Sequence, residues 1–460
     1  MNINSLKDKF NKLTLESKSH WDYQGKGKSE RDFVHSFCTY PAMMVPKMQR
    51  EILEVCLSQA DENERICLLD PFAGSGTILV EGMLKGVDVV GVDINPLAIL
   101  LCKAKTTIII PDVLVDSCKR LRTRINRIKS SNVKDFYFDG IDKWFTNVAI
   151  KDLTILRRSI IKEPQIEIRR FFWAAFCEVV RIVSNSRDCT YKLHIKPQED
   201  IDNYNKNALE IFFQTLDFNL SKYLSFYTNL KDNGRLKKGG AAYKGIVDIR
   251  LSNSIEYLKH TRRKFNLVLT SPPYGDNHTT VSYGQYSIMP LRWIQWADID
   301  EKINEDVFNT LSGIDKISLG GRSSSSFLDN KHMDVLNKSV KLMEQYNQIA
   351  TLDADKVHKL VAFYSEYDEF LLAISKRLKA CSVSVWTLGN RKIAKQEICM
   401  NEIMVELCQN HNMLLLTNFS RKILNKRMPE LNTYTGKDKS KQSTMTREHI
   451  LVFVKEDKDD

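Results

Sequence analysis

"RICLLDPFAGSGTILVEGMLKGVDVVGVDINPLAILLCKAKT", residues 65–106, is the stretch that decides the fold. An apolar run, Ile66 to Leu69, leads into a glycine-rich turn, Pro71 to Thr77, and an amphipathic helical pattern follows. A second apolar run, Val87 to Val92, and a second helical pattern complete the stretch. This alternation is typical of a βαβ unit, so the sequence predicts an α/β fold.

The alternation resumes in the second half of the chain. Further strands are predicted at 246–251, 264–269, 382–388, 413–419 and 448–455, with helices at 356–380 and 397–411. Together with the first two strands they predict one seven-stranded α/β sheet. A mostly helical, basic and aromatic insertion, residues 110–245, separates the second strand from the third. Its segment 167–188, "EIRRFFWAAFCEVVRIVSNSRD", predicts a helix that either packs in the core or faces nucleic acid with its arginines.

Bulk composition describes a globular protein: 460 residues, 43% hydrophobic and 27% charged. We find no apolar run of about 18 residues and no hydrophobic signal core at the polar N-terminus, which predicts a cytoplasmic protein without a membrane partner. Ten cysteines stand singly, without a C-x-x-C pair or clustered histidines, so no metal site is expected. The net charge of +11 favours a polyanionic partner, nucleic acid before membrane.

The glycine turn "DPFAGSGT", residues 70–77, lies between a strand and a helix and suits a ligand-binding loop. Gly74 and Gly76 let the backbone turn tightly and approach a ligand. Asp93 ends the next strand, where an acidic residue can accept hydrogen bonds from ribose hydroxyls. Because the turn lacks the third glycine and the lysine of phosphate-binding loops, a nucleoside without phosphates, S-adenosylmethionine, fits better than a nucleotide.

A second unusual stretch, "TSPPYGD" at 270–276, directly follows a predicted buried strand. Consecutive prolines hold an extended, rigid backbone at the strand's end. Taken alone, the stretch is as consistent with a strand terminator as with a catalytic loop.

The two stretches together resemble the exocyclic-amino DNA methyltransferases, which carry a D-P-F-x-G-S-G-T cofactor turn and a D/N/S-P-P-Y/F tetrapeptide. "SFCTYPAMMVPKM" (36–48), "LSNSIEYL" (251–258) and "TREHILVFVK" (446–455) resemble the family's N-terminal, third-strand and closing segments. The resemblance implies a Rossmann-like class I methyltransferase sheet and S-adenosylmethionine as cofactor. It divides the chain into a polar N-terminal arm (1–30), a cofactor-binding half (31–109), the helical insertion as a candidate target-recognition region (110–245) and a catalytic half (246–456).

The resemblance also implies roles for individual residues. In the tetrapeptide, the Ser271 hydroxyl and the Pro272 carbonyl would accept hydrogen bonds from an exocyclic amine, Pro273 would keep these acceptors fixed, and Tyr274 would stack on a flipped base. Asn253 stands where the family usually carries an aspartate. The residues implied in cofactor binding are Tyr40, Pro41, Asp70, Pro71, Phe72, Gly74, Gly76, Thr77, Asp93 and Asn253.

Polar, aromatic and basic residues outside these motifs suit contacts with DNA, although solvated loops are an equal alternative for the basic ones and His278 alone is more typical of a structural residue. The candidates are Asn277, His278, Thr279, Tyr283, Arg421, Lys422, Lys426 and Arg427.

The function implied is methylation of cytosine N4 in double-stranded DNA, within a restriction–modification or related defence system that supplies a cognate endonuclease or other subunit. Serine in the tetrapeptide favours cytosine N4, and adenine N6 is the close alternative. An RNA base methyltransferase and a non-catalytic DNA-binding subunit are the other hypotheses.

Overall fold

The fold is seen in a computed structural model, which describes residues 3–17, 31–61, 63–129, 134–187, 191–203, 206–275, 281–321, 333–394, 396–423, 431–433, 441–443 and 447–456. Its strands are β1 (Cys67–Asp70), β2 (Asp88–Asp93), β3 (Val247–Leu251), β4 (Phe265–Thr270), β5 (Leu378–Leu388), β6 (Arg391–Ile393), β7 (Gln396–Ile398), β8 (Met413–Lys422), β9 (Leu431–Thr433), β10 (Lys441–Ser443) and β11 (Arg447–Lys455).

Seven of these strands form one sheet in the order β3-β2-β1-β4-β5-β11-β8. Strands β1 to β5 are parallel, and β11 is antiparallel to both of its neighbours. The continuous apolar runs explain the central strands, because β1 and β4 are buried along their whole length. The predicted seven-stranded α/β sheet is therefore confirmed.

The strand order reverses next to β1. The chain moves outward from β1 through β2 to β3 and then returns to β4 on the opposite side of β1, so that Leu69 pairs with Val90 on one side and Val268 on the other. In open α/β sheets such a reversal leaves a crevice beyond the carboxyl ends of the strands, where ligands bind. Both predicted motifs begin at this edge, one after β1 and one after β4.

Helices cover both faces of the sheet. They are α1 (Ile3–Ser17), α2 (Pro46–Leu57), α3 (Thr77–Lys85), α4 (Pro96–Thr106), α5 (Pro111–Lys129), α6 (Ile141–Trp144), α7 (Asn147–Ile161), α8 (Ile166–Val183), α9 (Gln198–Asp202), α10 (Ala208–Asp232), α11 (Ser254–His260), α12 (Tyr283–Trp293), α13 (Gly313–Ile317), α14 (Val340–Ala350), α15 (Ala354–Ser375) and α16 (Met400–Gln409). Adjacent strand side chains reach opposite layers: Leu68 packs with α1 to α4 and the insertion, and Leu69 packs with α11 and α14 to α16. None of the described helices combines the length and apolar character needed to span a bilayer.

The insertion between β2 and β3 is helical, as predicted, and comprises α5 to α10 in the described residues. Its helix α8 packs against α4 and α10. Trp173, in the middle of α8, is fully buried and donates a hydrogen bond to Asp298 at 2.8 Å, and Arg169 pairs with the same carboxylate. Of the two alternatives for this segment, core packing is therefore correct for the body of the helix.

The N-terminal region differs from the predicted polar arm. Residues 3–17 form helix α1, which packs against α2 and β8 and buries Leu6 and Phe10 completely. Its apolar residues recur at helical spacing among lysines, which is the pattern of an amphipathic helix. The prediction of an arm was wrong because it considered the polar composition and not this spacing. Residues 1–2 and 18–30 lie outside the described part of the chain.

Two predicted helices are shorter than expected. The helix predicted at 356–380 ends at Ser375, because Leu378 already pairs with Phe265 as the start of β5. The helix predicted at 397–411 begins at Met400, since 396–398 form β7. In both cases pairing with another strand overrides local helical pattern.

Candidate active site

A cavity of about 910 Å³, a volume that includes space open to solvent, lies at the crevice beyond β1, β2 and β4. Several separate parts of the chain line it, among them the segment before α2, the glycine turn, the end of β2, the start of α11 and the tetrapeptide after β4. The predicted residues in its wall are Tyr40, Pro41, Phe72, Gly74, Thr77, Asp93, Asn253, Ser271, Pro273 and Tyr283. Both motifs thus face one space.

The glycine turn is shaped by left-handed backbone. Gly74 has φ of +48° and Gly76 has φ of +77°, which L side chains rarely adopt. A Cβ at Gly76 would also lie 3.1 Å from Cys102 Sγ, a tight contact that would require this neighbour to shift by a few tenths of an ångström. Behind the turn, the fully buried Lys105 donates a hydrogen bond from Nζ to the Ser75 carbonyl at 2.7 Å. The Lys105 side chain therefore stabilises the turn on the side away from the cavity, and the turn lines the cavity with its other side.

The Asp93 carboxylate joins the turn to the end of β2. Oδ2 accepts a hydrogen bond from the Gly74 N–H, and Oδ1 accepts one from the Asn95 N–H, both at 2.8 Å. Burial raises the pKa of Asp93 to about 6, and the backbone donors oppose that rise. These backbone donors favour the carboxylate form, which can accept further hydrogen bonds from a ligand in the cavity.

Asp70 lies beneath the cavity, whereas the family resemblance implies that it contacts the cofactor. Its carboxyl is fully buried and is not part of the cavity wall. Oδ1 accepts hydrogen bonds from Thr270 Oγ1 at 2.7 Å and from the Phe72 N–H at 3.2 Å, whereas Oδ2 has no partner in the described structure. Burial raises its pKa to about 7. Asp70 thus ties the end of β1 to the end of β4 beneath the cavity.

Asn95 is a site residue that sequence reasoning missed. Its Oδ1 caps α4 by accepting from the Leu97 N–H at 3.0 Å, and its Nδ2 donates to Tyr40 Oη at 3.0 Å and to Ser287 Oγ at 2.8 Å. An asparagine directly before Pro96 is an N-cap signal in the sequence, but only the structure shows that it also holds Tyr40.

The tetrapeptide places two of its four residues on the cavity wall, Ser271 and Pro273. Ser271 Oγ and Tyr274 Oη are hydrogen-bonded at 3.1 Å. Pro272 is buried, and Tyr274 is partly buried against the apolar cluster of α15 and α16. Gly275 lies so close to the Arg391 guanidinium that a Cβ at this position would overlap it.

Asn253 lines the cavity and also starts a helix. Its Oδ1 accepts hydrogen bonds from the N–H groups of Ile255 at 2.9 Å and Glu256 at 3.3 Å. This side chain therefore serves as the N-cap of α11, a role that needs no negative charge.

The predicted DNA-contacting residues are dispersed. Tyr283 lies in the cavity wall with its ring centroid 5.8 Å from that of Tyr40. Arg421 is only 9% exposed and binds the Glu448 carboxylate across β8 and β11, so contact with a phosphate would first have to break this pair. Lys422 is exposed at the end of β8. Asn277, His278, Thr279, Lys426 and Arg427 lie outside the described residues.

Further residues complete the wall from distant parts of the chain. Phe370 of α15 packs against Phe72 with ring centroids 4.9 Å apart, and no local pattern indicates this pairing. Met43 and Met44 follow the predicted Tyr40 and Pro41. In the described stretches, no group of three or more histidine, cysteine, aspartate or glutamate side chains is arranged to hold a metal ion.

Comparisons with known proteins give one extensive alignment. No protein-family model matches the chain. The chain is 33% identical over 456 residues to the type II methyltransferase M.MvaI of Kocuria varians, covering 96% of each protein. It is 25% identical over 118 residues to the type II methyltransferase M.MjaII of Methanocaldococcus jannaschii, covering 23% of this chain and 21% of that protein.

Among solved structures, the rRNA methyltransferase aviRa from Streptomyces viridochromogenes is 10% identical with a TM-score of 0.32, covering 94% of this chain and 93% of that one. Similarity this low carries no argument about function. The extensive alignment, in contrast, spans nearly the whole of both proteins.

Proposed function

Since the chain belongs to the type II methyltransferase family, we propose that it is a site-specific DNA methyltransferase that transfers a methyl group from S-adenosylmethionine to the exocyclic N4 of cytosine in double-stranded DNA. The observation that carries this proposal is the shared cavity: Gly74 and Asp93 of the turn and Ser271 and Pro273 of the tetrapeptide line the same space. A methyl donor and a target base bound to these two motifs would meet there.

The residues of the cavity fit S-adenosylmethionine. Asp93 offers an anionic acceptor for ribose hydroxyls, and Phe72, Pro41 and Tyr40 offer apolar and aromatic walls. The N-terminus of α3, capped by Gly76 without a side-chain hydrogen bond, favours the carboxylate of the methionine part. When bound, the cofactor supplies an electrophilic methyl group on a sulfonium.

The tetrapeptide would prepare the amine as a nucleophile. The lone pair of an exocyclic amine is delocalised into the base, and acceptors that bind its hydrogens favour a more tetrahedral nitrogen. Ser271 Oγ and the Pro272 carbonyl are the proposed acceptors, and the hydrogen bond between Ser271 and Tyr274 holds the hydroxyl in place. In the transfer the amine would gain the methyl group and release one proton to water, and the cofactor would leave as the neutral thioether S-adenosylhomocysteine.

The family and the charge support the proposed substrate and partners. A net charge of +11 suits a polyanionic substrate. We propose that the residues after the tetrapeptide, Asn277, His278, Thr279 and Tyr283, and the basic group Lys422, Lys426 and Arg427 contact DNA, and that Arg421 does so if it exchanges Glu448 for a phosphate. The protein would act in the cytoplasm beside a cognate restriction endonuclease.

Expression in a host that lacks DNA methylation tests the proposal. Host DNA is digested to nucleosides, and modified bases are identified by mass spectrometry. N4-methylcytosine is the expected product. N6-methyladenine would keep the mechanism and correct the target base, and an absence of both, with the protein folded and cofactor-bound, would overturn the proposal.

A further inference from the structure

The segment that carries Tyr40 and Pro41 into the cavity wall rests on the helical insertion. Phe37, three residues before Tyr40, is fully buried, and its ring packs edge to face on Phe171 of α8 with centroids 5.4 Å apart. The Phe37 carbonyl accepts a hydrogen bond at 3.2 Å from Nδ2 of Asn219, a fully buried residue of α10. Two helices of the insertion therefore support the chain just before it reaches the cavity.

One carboxylate of the insertion holds the residue next to Tyr40. Glu178 of α8 is only 7% exposed, and its Oε2 accepts a hydrogen bond from the Thr39 N–H at 2.9 Å. Its Oε1 lies 3.2 Å from Thr39 Oγ1, which donates to it. The Thr39 carbonyl in turn accepts a hydrogen bond from Tyr286 Oη of α12. All three polar groups of Thr39 are thus engaged by side chains from distant parts of the chain.

The backbone after Pro41 is one that depends on such support. Ala42 has φ of +48°, a left-handed conformation that is uncommon for residues other than glycine. Ala42 lines the cavity together with Met43 and Met44. Strained backbone of this kind persists where the surrounding contacts determine it. The hydrogen bonds to Thr39 fix the chain three residues before the strained position.

A buried carboxylate is more than packing requires at this position of α8. Burial of a carboxylate is costly unless its oxygens are hydrogen-bonded, and both oxygens of Glu178 bind the same residue. Two contacts to one residue fix its orientation as well as its position, and a charged acceptor strengthens each of them. Glu178 and Thr39 lie outside the described cavity wall, so this carboxylate can act on the cavity only through the chain that Thr39 leads into.

We propose that Glu178 is a positioning residue for S-adenosylmethionine: by holding Thr39, it keeps Tyr40 and Pro41 in place against the cofactor. The insertion then supports the cofactor site, a role separate from that of a target-recognition region. The proposal rests on the cofactor of the proposed function.

The test compares full-length wild type with Glu178→Gln, which preserves the size of the side chain but leaves only one acceptor oxygen for Thr39. Binding of S-adenosylmethionine without DNA is measured by calorimetry, and steady-state kinetics give kcat and the KM values for cofactor and DNA. The matched control is Thr154→Val in α7. Thr154 is 1% exposed, and its Oγ1 accepts a hydrogen bond from the Phe136 N–H at 3.0 Å, outside the cavity wall.

We expect Glu178→Gln to bind S-adenosylmethionine about tenfold more weakly and to raise the KM for the cofactor by a similar factor. Its kcat at saturating cofactor and its KM for DNA should equal those of wild type. Thr154→Val should melt at a lower temperature and keep the wild-type cofactor affinity. Wild-type affinity in Glu178→Gln, or an equal loss of affinity in Thr154→Val, overturns the proposal. A change confined to the KM for DNA also overturns it, because Glu178 would then serve substrate recognition.

A second variant tests the route through Thr39. Thr39→Val removes Oγ1 and keeps the backbone N–H, and it should weaken cofactor binding by about threefold. Combined with Glu178→Gln it should cost less than the two separate effects together, because both changes affect one set of contacts. Additive effects would show that Glu178 does not act through Thr39. If Glu178→Gln does not fold, Thr39→Val is the test by itself, and wild-type cofactor affinity in that variant overturns the proposal.

The outcome is separable from that of the proposed function. Wild type that binds S-adenosylmethionine but methylates no DNA would overturn the proposed activity, and weaker cofactor binding by Glu178→Gln would still support the positioning role. Wild type that methylates DNA, with a Glu178→Gln protein that binds the cofactor equally well, would overturn the positioning role alone.

Discussion

Asp93 Oδ2 accepts a hydrogen bond from the Gly74 N–H at 2.8 Å. This contact joins the carboxyl end of β2 to the left-handed residue of the glycine turn, where φ is +48°. Because Asp93 also lines the cavity, one carboxylate both fixes the shape of the turn and faces the proposed cofactor.

Replacement of Asp93 by alanine tests this dual role. The change removes the acceptor of two backbone N–H groups and the proposed ribose contact. Hydrogen bonds to charged groups contribute about 1.5–3 kcal/mol, so we expect S-adenosylmethionine to bind about 10- to 100-fold more weakly. Calorimetric titration measures the effect. Asp61→Ala, an exposed aspartate outside the cavity wall, should bind as wild type does; equal affinities for all three proteins would remove Asp93 from the cofactor site.

Tyr274 should affect methyl transfer more than DNA binding. Stacking of a base on an aromatic ring contributes about 1–3 kcal/mol, so Tyr274→Ala is expected to lower the single-turnover rate by about 10- to 100-fold. Tyr274→Phe keeps the ring and loses the 3.1 Å hydrogen bond to Ser271, which separates stacking from positioning. Tyr137→Ala, at a 64% exposed tyrosine, is the control. A Tyr274→Ala protein with the wild-type rate would rule out the stacking role.

Asn95→Ala should weaken cofactor binding as well as stability. It removes the N-cap of α4 and the hydrogen bond to Tyr40. A matched control exists in Asn207, whose Oδ1 caps α10 by accepting from the Glu210 N–H at 3.1 Å, away from the cavity. Loss of such a cap costs about 0.5–2 kcal/mol, so both alanine variants should melt at lower temperature. Only Asn95→Ala should bind S-adenosylmethionine more weakly; a parallel loss in both variants would mean that Asn95 acts through stability alone.

The buried Asp70 should make stability depend on pH. Burial raises its pKa from 3.8 to about 7 in the folded protein. The folded state therefore holds this proton more tightly than the unfolded state, and the contribution of Asp70 to stability falls as pH rises from about 4 to about 7 and stays low above that range.

Asp70→Asn removes this titration and preserves an oxygen that can accept from Thr270 and the Phe72 N–H. We expect the melting temperature of the variant, relative to wild type, to increase by about 2–3 °C between pH 5 and pH 8, because a chain of this length shifts by about 1 °C for each kcal/mol. Asp61→Asn should show no such trend. A constant difference between Asp70→Asn and wild type across this range would contradict the raised pKa.

Much of the framework was predictable from local sequence. Apolar runs placed β1 and β2 within a residue of their observed bounds, and the two glycines of 70–77 indicated a tight turn that the structure confirms. The methyltransferase family indicated by the two motifs is confirmed by the extensive alignment. These features were accessible because hydrophobic periodicity and glycine conformations act over a few neighbouring residues.

Other parts of the site depend on contacts between distant residues. Phe370 lines the cavity because α15 packs against the glycine turn and places the Phe370 ring next to Phe72. Arg421 forms an ion pair with Glu448 of the neighbouring strand. Helix α1 packs its apolar face against β8.

The sequence by itself therefore determined the strands of the seven-stranded sheet, the helical insertion and the glycine turn, since each is encoded in adjacent residues. Only the tertiary structure decided which side chains share a cavity, because the reversal of strand order beside β1 brings together ends of strands that the sequence keeps far apart.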